Sequence, residues 1–454
     1  MTMPPYPEAF VRQMESQLGE SAQAYFQAME QPPVRGLRIN PLKQTDTPLS
    51  TLIGDIGEPV PWADNAYLLA LSSAAGAHPL HEAGAYYLQE PSAMLPATLL
   101  GALEGLTVLD LCAAPGGKST QLAASMRGMG TLICNEPVPS RAQVLSRNLE
   151  RMGVTNAAVV SADPAALAER WPLLFDAILV DAPCSGEGMF RRHPETRLEW
   201  DEAAPARCAL RQTRILHNAL RMLKPGGLLC YSTCTLNTVE NEQVIASLRD
   251  RYPMLAAVPF SVSAQEGRTL AAPDGQIRLY PHTVAGEGHF AALLQKRDLT
   301  PEDSARPGSL LPPSQALSAP IKPASDGFHA LWQSFACGDA PPANATLGDT
   351  LLSAPPLPPL QGVRVLRAGL ALGQLKGKVF APDHALGMAA PAFALPTCAL
   401  DTAAATRYQR GESLPAPDDM RGYVVVTLQG LALGFGKASD GQLKNHYPKG
   451  LRRP

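Results

Sequence analysis

The chain predicts an α/β protein organised on a parallel, doubly wound sheet, with an α+β extension before it and a β-rich module after it. Three observations carry this. Five apolar, strand-like runs occur at Thr107–Leu111, Thr131–Cys134, Ala157–Val160, Ala177–Val180 and Leu228–Tyr231, each followed by a segment of helical character. Strands alternating with helices favour parallel pairing, because each helix carries the chain back to the starting edge. The first run then turns through the small residues Ala113, Ala114, Pro115, Gly116 and Gly117 into a helix-compatible segment at Lys118. Such a turn lets backbone N–H groups approach a ligand closely. Finally, stretches dense in Pro, Ser and Ala from Leu299 onward and at Ala354–Leu360 separate this block from the C-terminal third of the chain.

In chain order, Phe10, Val11, Met14 and Leu18 recur at helical spacing, and Val34–Lys43 alternates apolar with basic or polar residues in strand fashion. That alternation suits an edge strand with solvated Arg35 and Arg38 as well as it suits a binding surface. Within the central block, Ser140 is placed to cap a helix over 141–152. A second helix is expected over 207–223, stopped by the K-P-G-G turn at Lys224–Gly227. Two further strands are expected at Ile277–Tyr280 and His289–Leu294, and the C-terminal module at Val363–Leu366, Tyr423–Leu428 and Leu431–Phe435. The expected divisions are an N-terminal extension (1–80), the sheet domain (81–298), a linker (299–325), an intermediate region (326–390) and a final module (391–454). The P-x-x-P spacing at Ala354–Leu360 reads as a stiff connector or a docking motif.

A length of 454 residues exceeds one ordinary core, and 45% apolar content is globular rather than disordered. No apolar run approaches the ~18 residues of a membrane span, and the N-terminus does not read as a secretory signal, so a cytoplasmic protein is expected. Eight cysteines without a C-x-x-C pair suggest separately placed, reduced thiols rather than disulfides or zinc. A net charge of −3 gives no global signal for nucleic acid, so any such binding must be local. The tail Lys437–Pro454 is one local source, with five cations, one acid and the rings of His446 and Tyr447.

The chemistry gathers at strand ends. A pyrophosphate site prefers G-x-G-x-x-G; here Cys112, Ala114 and Gly117 stand at those positions, which disfavours a nicotinamide dinucleotide and hence an oxidoreductase. Glu136, about twenty residues on, is placed for ribose hydroxyls. Ribose without pyrophosphate suits S-adenosylmethionine. Asp163 is equally good as an adenine contact and as a helix cap before Pro164. The fourth strand ends in D-A-P-C-S-G-E-G (Asp181–Gly188) and the fifth in Y-S-T-C-T (Tyr231–Thr235). If those strands are neighbours, Cys184 and Cys234 reach the same crevice. A thiolate beside a methyl donor suits carbon 5 of a pyrimidine. Addition to carbon 6 makes carbon 5 nucleophilic, an acid at the N3 side (Asp181) stabilises the adduct, and loss of the carbon 5 proton releases the thiol. Spacing alone does not decide which cysteine attacks.

At these residues the sequence resembles the Nol/Nop/Sun family of RNA (cytosine-5) methyltransferases. L-C-A-A-P-G-G-K, D-A-P-C-S-G-E-G and Y-S-T-C-T occur in order, followed by R-L-Y-P-H (Arg278–His282), G-E-G-H-F (Gly286–Phe290) and the basic tail. The resemblance covers most of the chain, most weakly over 299–360; members acting on small-subunit ribosomal RNA are the nearest form. It implies a Rossmann-like class I methyltransferase sheet, a PUA-like RNA-binding module over 391–454, S-adenosylmethionine as cofactor, no metal and ribosomal RNA as partner. Transfer RNA as substrate and a catalytically silent role in ribosome assembly are the alternatives. It further implies Cys234 as the nucleophile and Cys184 as the residue assisting product release. Cys112, Ala113, Ala114, Pro115, Gly116, Gly117, Lys118, Glu136, Asp163 and Asp181 would line the cofactor site, with Asp181 also near the base. Arg191, Arg192, Arg197 and the Arg35–Lys43 strand would flank the RNA groove. Pro137 after Glu136, and His289 where an aromatic is common, depart from the family pattern.

Overall fold

The computed structural model describes residues 4–453 apart from 46, 301–302, 304–305, 336–337 and 390–394. Its centre is a nine-stranded sheet. Five strands are parallel: β1 (Thr107–Asp110), β2 (Thr131–Asn135), β3 (Ala157–Ser161), β4 (Phe175–Asp181) and β5 (Leu223–Thr233). They are joined by β6 (Leu255–Ala257), β7 (Gln276–Leu279), β8 (His289–Lys296) and β9 (Arg364–Ala368). The order is β6-β8-β5-β4-β1-β2-β3-β9, with β7 also paired to β8. Because β1 has β2 on one side and β4 on the other, the winding direction reverses there. A crevice opens at the carboxyl ends of β1 and β4.

Both faces of the parallel strands are buried, which is why they read as continuous apolar runs. Leu109, Ile133, Val160 and Ile178 pack with Leu216 and Leu220 of the helix Ala204–Met222. Val108, Leu132, Val159 and Leu179 pack with Leu122 of Gly117–Met126 and Leu145 and Leu149 of Pro139–Arg151. This is the period-two alternation of a strand with a helix layer on each side. Ser140 is not the cap: its helix starts one residue earlier, with Pro139 in the first turn and no side-chain cap. Proline suits that position, having no N–H to satisfy. Lys224–Gly227 bulges out of the β4–β5 ladder, where the register jumps from Phe175↔Leu223 to Ala177↔Leu228.

The N-terminal unit has helices Glu8–Leu18 and Ala22–Met29 and a four-stranded antiparallel sheet. The expected edge strand is an inner one: Arg35–Ile39 pairs with Ala66–Leu69 on one side and Tyr86–Leu88 on the other. The unit therefore extends past residue 80. Beyond the central sheet lie a four-stranded sheet (Ala345–Leu347, Thr350–Ser353, Leu370–Lys376, Val379–Pro382) and a five-stranded sheet. The latter contains Thr397–Leu400, Leu414–Pro415, Gly422–Leu428, Leu431–Ser439 and Gln442–Asn445.

Two expectations about the connectors change. The run at Val363–Leu366 does not belong to the C-terminal module; as β9 it closes the free edge of the central sheet, antiparallel to β3. The Pro-rich stretches are docked, not free. Leu311 bridges Leu357, Ala316 and Leu357 are buried in the main core, and Trp171 Nε1 donates to Pro359 O at 2.9 Å. Within the P-x-x-P stretch Leu357 and Pro358 are buried, whereas Pro356 is exposed. Part of the expected 299–325 linker, and the boundary at 390/391, lie outside the described residues. Among the described residues no helix is long and apolar enough to cross a membrane.

Candidate active site

The loop between β1 and the helix Gly117–Met126 forms one wall of the crevice. Gly116 has φ +116°, a conformation that disfavours a side chain, and the Ala114–Pro115 peptide is cis. A Cβ on Gly117 would lie 3.3 Å from both Tyr87 and Gln89, so this residue is held small by the strand facing it. Arg38 clamps the helix start, with Nη2 donating to Gly117 O at 3.1 Å and Thr120 Oγ1 at 2.8 Å. The cleft has a volume of about 230 Å³ and is lined by Cys112, Ala113, Ala114, Pro115, Gly117, Lys118 and Asp181. Tyr87, Gln89, Glu90, Asp110 and Arg192 line it too. Gly116, Glu136 and Asp163 are not in that lining.

Two carboxylates face this cleft in contrasting states. Asp181 Oδ2 accepts from Lys118 Nζ at 2.7 Å and its Oδ1 accepts from Ser232 Oγ at 2.8 Å, with His289 Nε2 3.6 Å away. Burial by itself raises the Asp181 pKa, but Lys118 and His289 outweigh it and hold the carboxyl below its ordinary value. Asp110 is 1% exposed. Burial pushes it up to about 7, against a hydrogen bond from Ser119 Oγ to Oδ2 at 2.6 Å. Its Oδ1 has no partner among the described residues. Burial likewise raises the Cys112 thiol, which disfavours its thiolate form.

The two cysteines lie on the loops after β4 and β5, and neither is in the cleft lining. β4 and β5 are neighbours, and Cys184 Sγ lies 3.3 Å from Cys234 Sγ. The hydrogen bond with Cys234, and then burial, push the Cys184 thiol well above its ordinary range. Burial disfavours the charge on Lys118, but Asp181 and, less strongly, Cys234 raise its pKa. The ammonium is therefore within electrostatic reach of that sulfur. The two cysteine-bearing loops are stitched together. Gly188 N donates to Cys234 O at 2.9 Å, and a Cβ there would come within 2.7 Å of that oxygen. Fully buried Glu240 accepts from Ser185 N and Oγ, Gln212 Nε2 and Asn237 Nδ2. Glu187, also buried, accepts from Leu236 N, Asn237 Nδ2 and Gln13 Nε2.

Glu136 and Asp163 sit at the ends of the next two strands. Glu136 Oε1 accepts from Val138 N at 2.9 Å and Oε2 lies 3.4 Å from Arg141 Nη1. Asp163 caps the helix Pro164–Arg170 through Oδ1, accepting from Ala165 N at 2.8 Å. Of the expected groove arginines, Arg192 alone is exposed at the cleft. Arg191 is buried and paired with Glu287 at 2.7 Å, and Arg197 is buried against Phe190 O, Pro4 O and the Tyr6 hydroxyl. Arg38 and Lys43 are buried as well, the latter donating to Ala83 O and Arg151 O. Charge suggested a surface for these four, but inward-facing carbonyls and carboxylates satisfy them. In the tail, Tyr447 is buried and Arg453 pairs with Glu82 at 2.7 Å, so that end is a structural clasp.

Tyr87, Gln89, Glu90, Asp110, Ser232 and the role of His289 beside Asp181 were not anticipated. Asp110 was legible as the acid ending an apolar strand. The Gln89–Glu90 pair comes from another sheet, which local patterning does not reveal. Among the described residues no group of three His, Cys, Asp or Glu is placed to hold a metal ion.

Known proteins match nearly the full length of the chain. Residues 97–295 match 16S rRNA methyltransferase RsmB/F. Residues 6–91 match the N-terminal domain of 16S rRNA methyltransferase RsmF, 340–389 the RsmF rRNA methyltransferase first C-terminal domain, and 396–453 the methyltransferase RsmF PUA domain. The ribosomal RNA small subunit methyltransferase F of Erwinia tasmaniensis is 32% identical, covering 99% of this chain and 97% of the relative. That of Klebsiella pneumoniae is 32% identical with the same coverage. Among solved structures, a methyltransferase homolog protein from Pyrococcus horikoshii is 31% identical, with a TM-score of 0.55 over 64% of this chain and 95% of that one. NSun6 from Pyrococcus horikoshii, solved with SFG, shares the fold at 20% identity and a TM-score of 0.56, over 64% and 99% of the two chains. A Rossmann-like sheet, a crevice at its switch point and relatives along the full length lead to one conclusion: the chain belongs to the 16S rRNA methyltransferase RsmB/F family.

Proposed function

We propose that this protein methylates carbon 5 of cytosine in small-subunit ribosomal RNA, through a covalent bond between Cys234 and carbon 6. The observation that carries the reading is the contact of Cys184 and Cys234 at 3.3 Å beside the Lys118–Asp181 pair. Methylation of an exocyclic amine needs no thiol, whereas the feebly nucleophilic carbon 5 needs one.

The cleft fits S-adenosylmethionine. Its close-approach position at Gly117 admits no side chain without displacing Tyr87 or Gln89, and the unpartnered Asp110 oxygen suits an ammonium group. Cys112–Lys118, Glu136, Asp163 and Asp181 would hold the cofactor, with Glu136 at the ribose hydroxyls and Asp163 towards the adenine. When bound, it supplies an electrophilic methyl group.

The protein's own residues do the rest. Cys234 forms a carbon–sulfur bond at carbon 6, which moves the ring's electron pair towards carbon 5. Lys118 and Asp181 sit beside this site as a charged pair, suited to donate to and accept from the polar edge of the base. After methyl transfer a base takes the carbon 5 proton, and its electron pair re-forms the carbon 5–carbon 6 double bond. The Cys234 sulfur leaves as a thiolate, a departure that Cys184, in contact with that sulfur, assists. The base must leave its stack to reach the thiol, so exposed or locally opened RNA is favoured.

Incubating small-subunit ribosomal RNA with the protein and methyl-labelled cofactor, then digesting to nucleosides, tests this. Label is expected in 5-methylcytidine; label in another nucleoside, or none, contradicts it.

A further inference from the structure

Among the described residues every cysteine is a free thiol, but their settings differ. Cys134, Cys230 and Cys398 are buried, whereas Cys184 and Cys234 keep part of their surface. Their sulfurs touch at 3.3 Å, and the backbone holds them there. Ahead of the cysteines, Asp181 pairs with Ser232, and Ala182 N donates to Ser232 O at 2.9 Å. Just past them, the Ser185 and Thr235 hydroxyls are hydrogen-bonded at 2.8 Å, and Gly188 N donates to Cys234 O at 2.9 Å. The two loops thus stay near the spacing of adjacent strands, roughly 4.8 Å. That spacing falls inside the window of about 4.4–6.8 Å that a disulfide needs between Cα atoms. Bringing the sulfurs from contact to a bond takes roughly 1 Å of further approach, which rotation of the two side chains supplies.

We propose that Cys184 and Cys234 form a reversible modification site, which a small hydroperoxide oxidises to a disulfide with Cys184 as the resolving thiol. The Cys234 thiol, acting through its thiolate, displaces water from hydrogen peroxide and becomes a sulfenic acid. The Cys184 sulfur then attacks the Cys234 sulfur. The Cys184 proton leaves with the hydroxyl as a second water, and the sulfur–sulfur bond forms. In all, two thiols and one hydrogen peroxide give one disulfide and two waters. A dithiol reductant reverses the change by exchange. A sulfenic acid with no thiol in contact goes on to the sulfinic acid, which a dithiol does not reverse. Cys184 therefore keeps oxidation of its neighbour recoverable. The disulfide goes beyond the catalytic reading, but its consequence rests on that reading: a bonded Cys234 sulfur cannot add to carbon 6, so methyl transfer stops.

The test treats the reduced full chain with hydrogen peroxide, blocks the remaining thiols, and maps its peptides by mass spectrometry. The Cys184 and Cys234 peptides are expected to appear joined, and to separate after dithiothreitol. Methyl transfer is expected to be lost as the joined peptide accumulates and to return on reduction. Cys208→Ala, which removes a half-buried thiol on the helix Ala204–Met222, is expected to oxidise and recover as wild type does. In Cys184→Ala the same treatment is expected to leave Cys234 as a sulfinic acid that dithiothreitol does not recover. Cys184→Ser is expected to do the same, which separates loss of the thiol from loss of packing. Absence of the joined peptide in wild type overturns the proposal, as does a bond from either residue to Cys208 instead. So does recovery of the Cys234 thiol in Cys184→Ser to the same extent as in wild type. Absence of methyl transfer by the reduced wild type would refute the catalytic reading and leave the peptide map standing.

Discussion

Asp110 and Asp181 end neighbouring strands, yet the protein holds their protons oppositely. Burial raises Asp110 from 3.8 to about 7, so the folded state binds its proton more tightly than the unfolded chain does. Stability from this group is full below pH ~4 and is lost as pH rises towards 7. Asp110→Asn is expected to remove a slope of a few kcal/mol between pH 4 and 8 in urea unfolding; an unchanged slope would refute the assignment. Asp181 behaves in reverse, because Lys118 holds it ionised. Lys118→Met releases that hold, so the acid limb of methyl transfer is expected to move to higher pH, with a rate loss of about 10²-fold at neutrality. A pH–rate profile of the two proteins reads both effects. The cysteines and Asp181 were legible in the sequence because each follows a strand within one short motif. His289 was visible only as an oddity. Its place beside Asp181 comes from β8 lying antiparallel next to β5, a pairing no local pattern encodes.

At the scale of elements, the cysteine positions depend on how the loops after β4 and β5 are joined. Glu240 serves four donors from three segments, and Glu240→Ala leaves Ser185, Gln212 and Asn237 with unmet hydrogen bonds. A loss of about 3–5 kcal/mol in unfolding free energy is expected, with methyl transfer falling as Cys184 and Cys234 separate. Arg191 and Arg192 are adjacent in sequence and opposite in role. Arg191→Ala strands the buried Glu287 and is expected to cost about 3–5 kcal/mol. Arg192→Ala is expected to change stability by less than about 0.5 kcal/mol and to weaken RNA binding. Equal stability of the two variants would contradict the structure. This distinction was not legible in the sequence. Charge is written there, but whether an arginine on a strand meets solvent depends on whether that strand is inner or edge, as Arg38 shows.

The molecule as a whole is less modular than its Pro-rich stretches suggest. The α/β order and the five parallel strands were legible in hydrophobic patterning, since burial on both faces leaves a clear signal. The destination of Arg364–Ala368 was not, because a short strand pairs with whichever edge is free, and here that edge is β3, about two hundred residues earlier in the chain. Truncation after residue 298 would uncover β3 and remove Ala345, Leu352 and Leu357 from the main core. The truncated protein is expected to aggregate on size-exclusion chromatography; a soluble, active monomer would show the later units to be dispensable. At the centre of the proposed chemistry is the division of labour between the two touching thiols. Its most direct measurement is a denaturing gel of the protein after incubation with labelled small-subunit ribosomal RNA and cofactor. Cys184→Ala is predicted to accumulate a protein–RNA band that survives denaturation, and Cys234→Ala to show none and no methyl transfer. A covalent band or retained turnover in Cys234→Ala would contradict it.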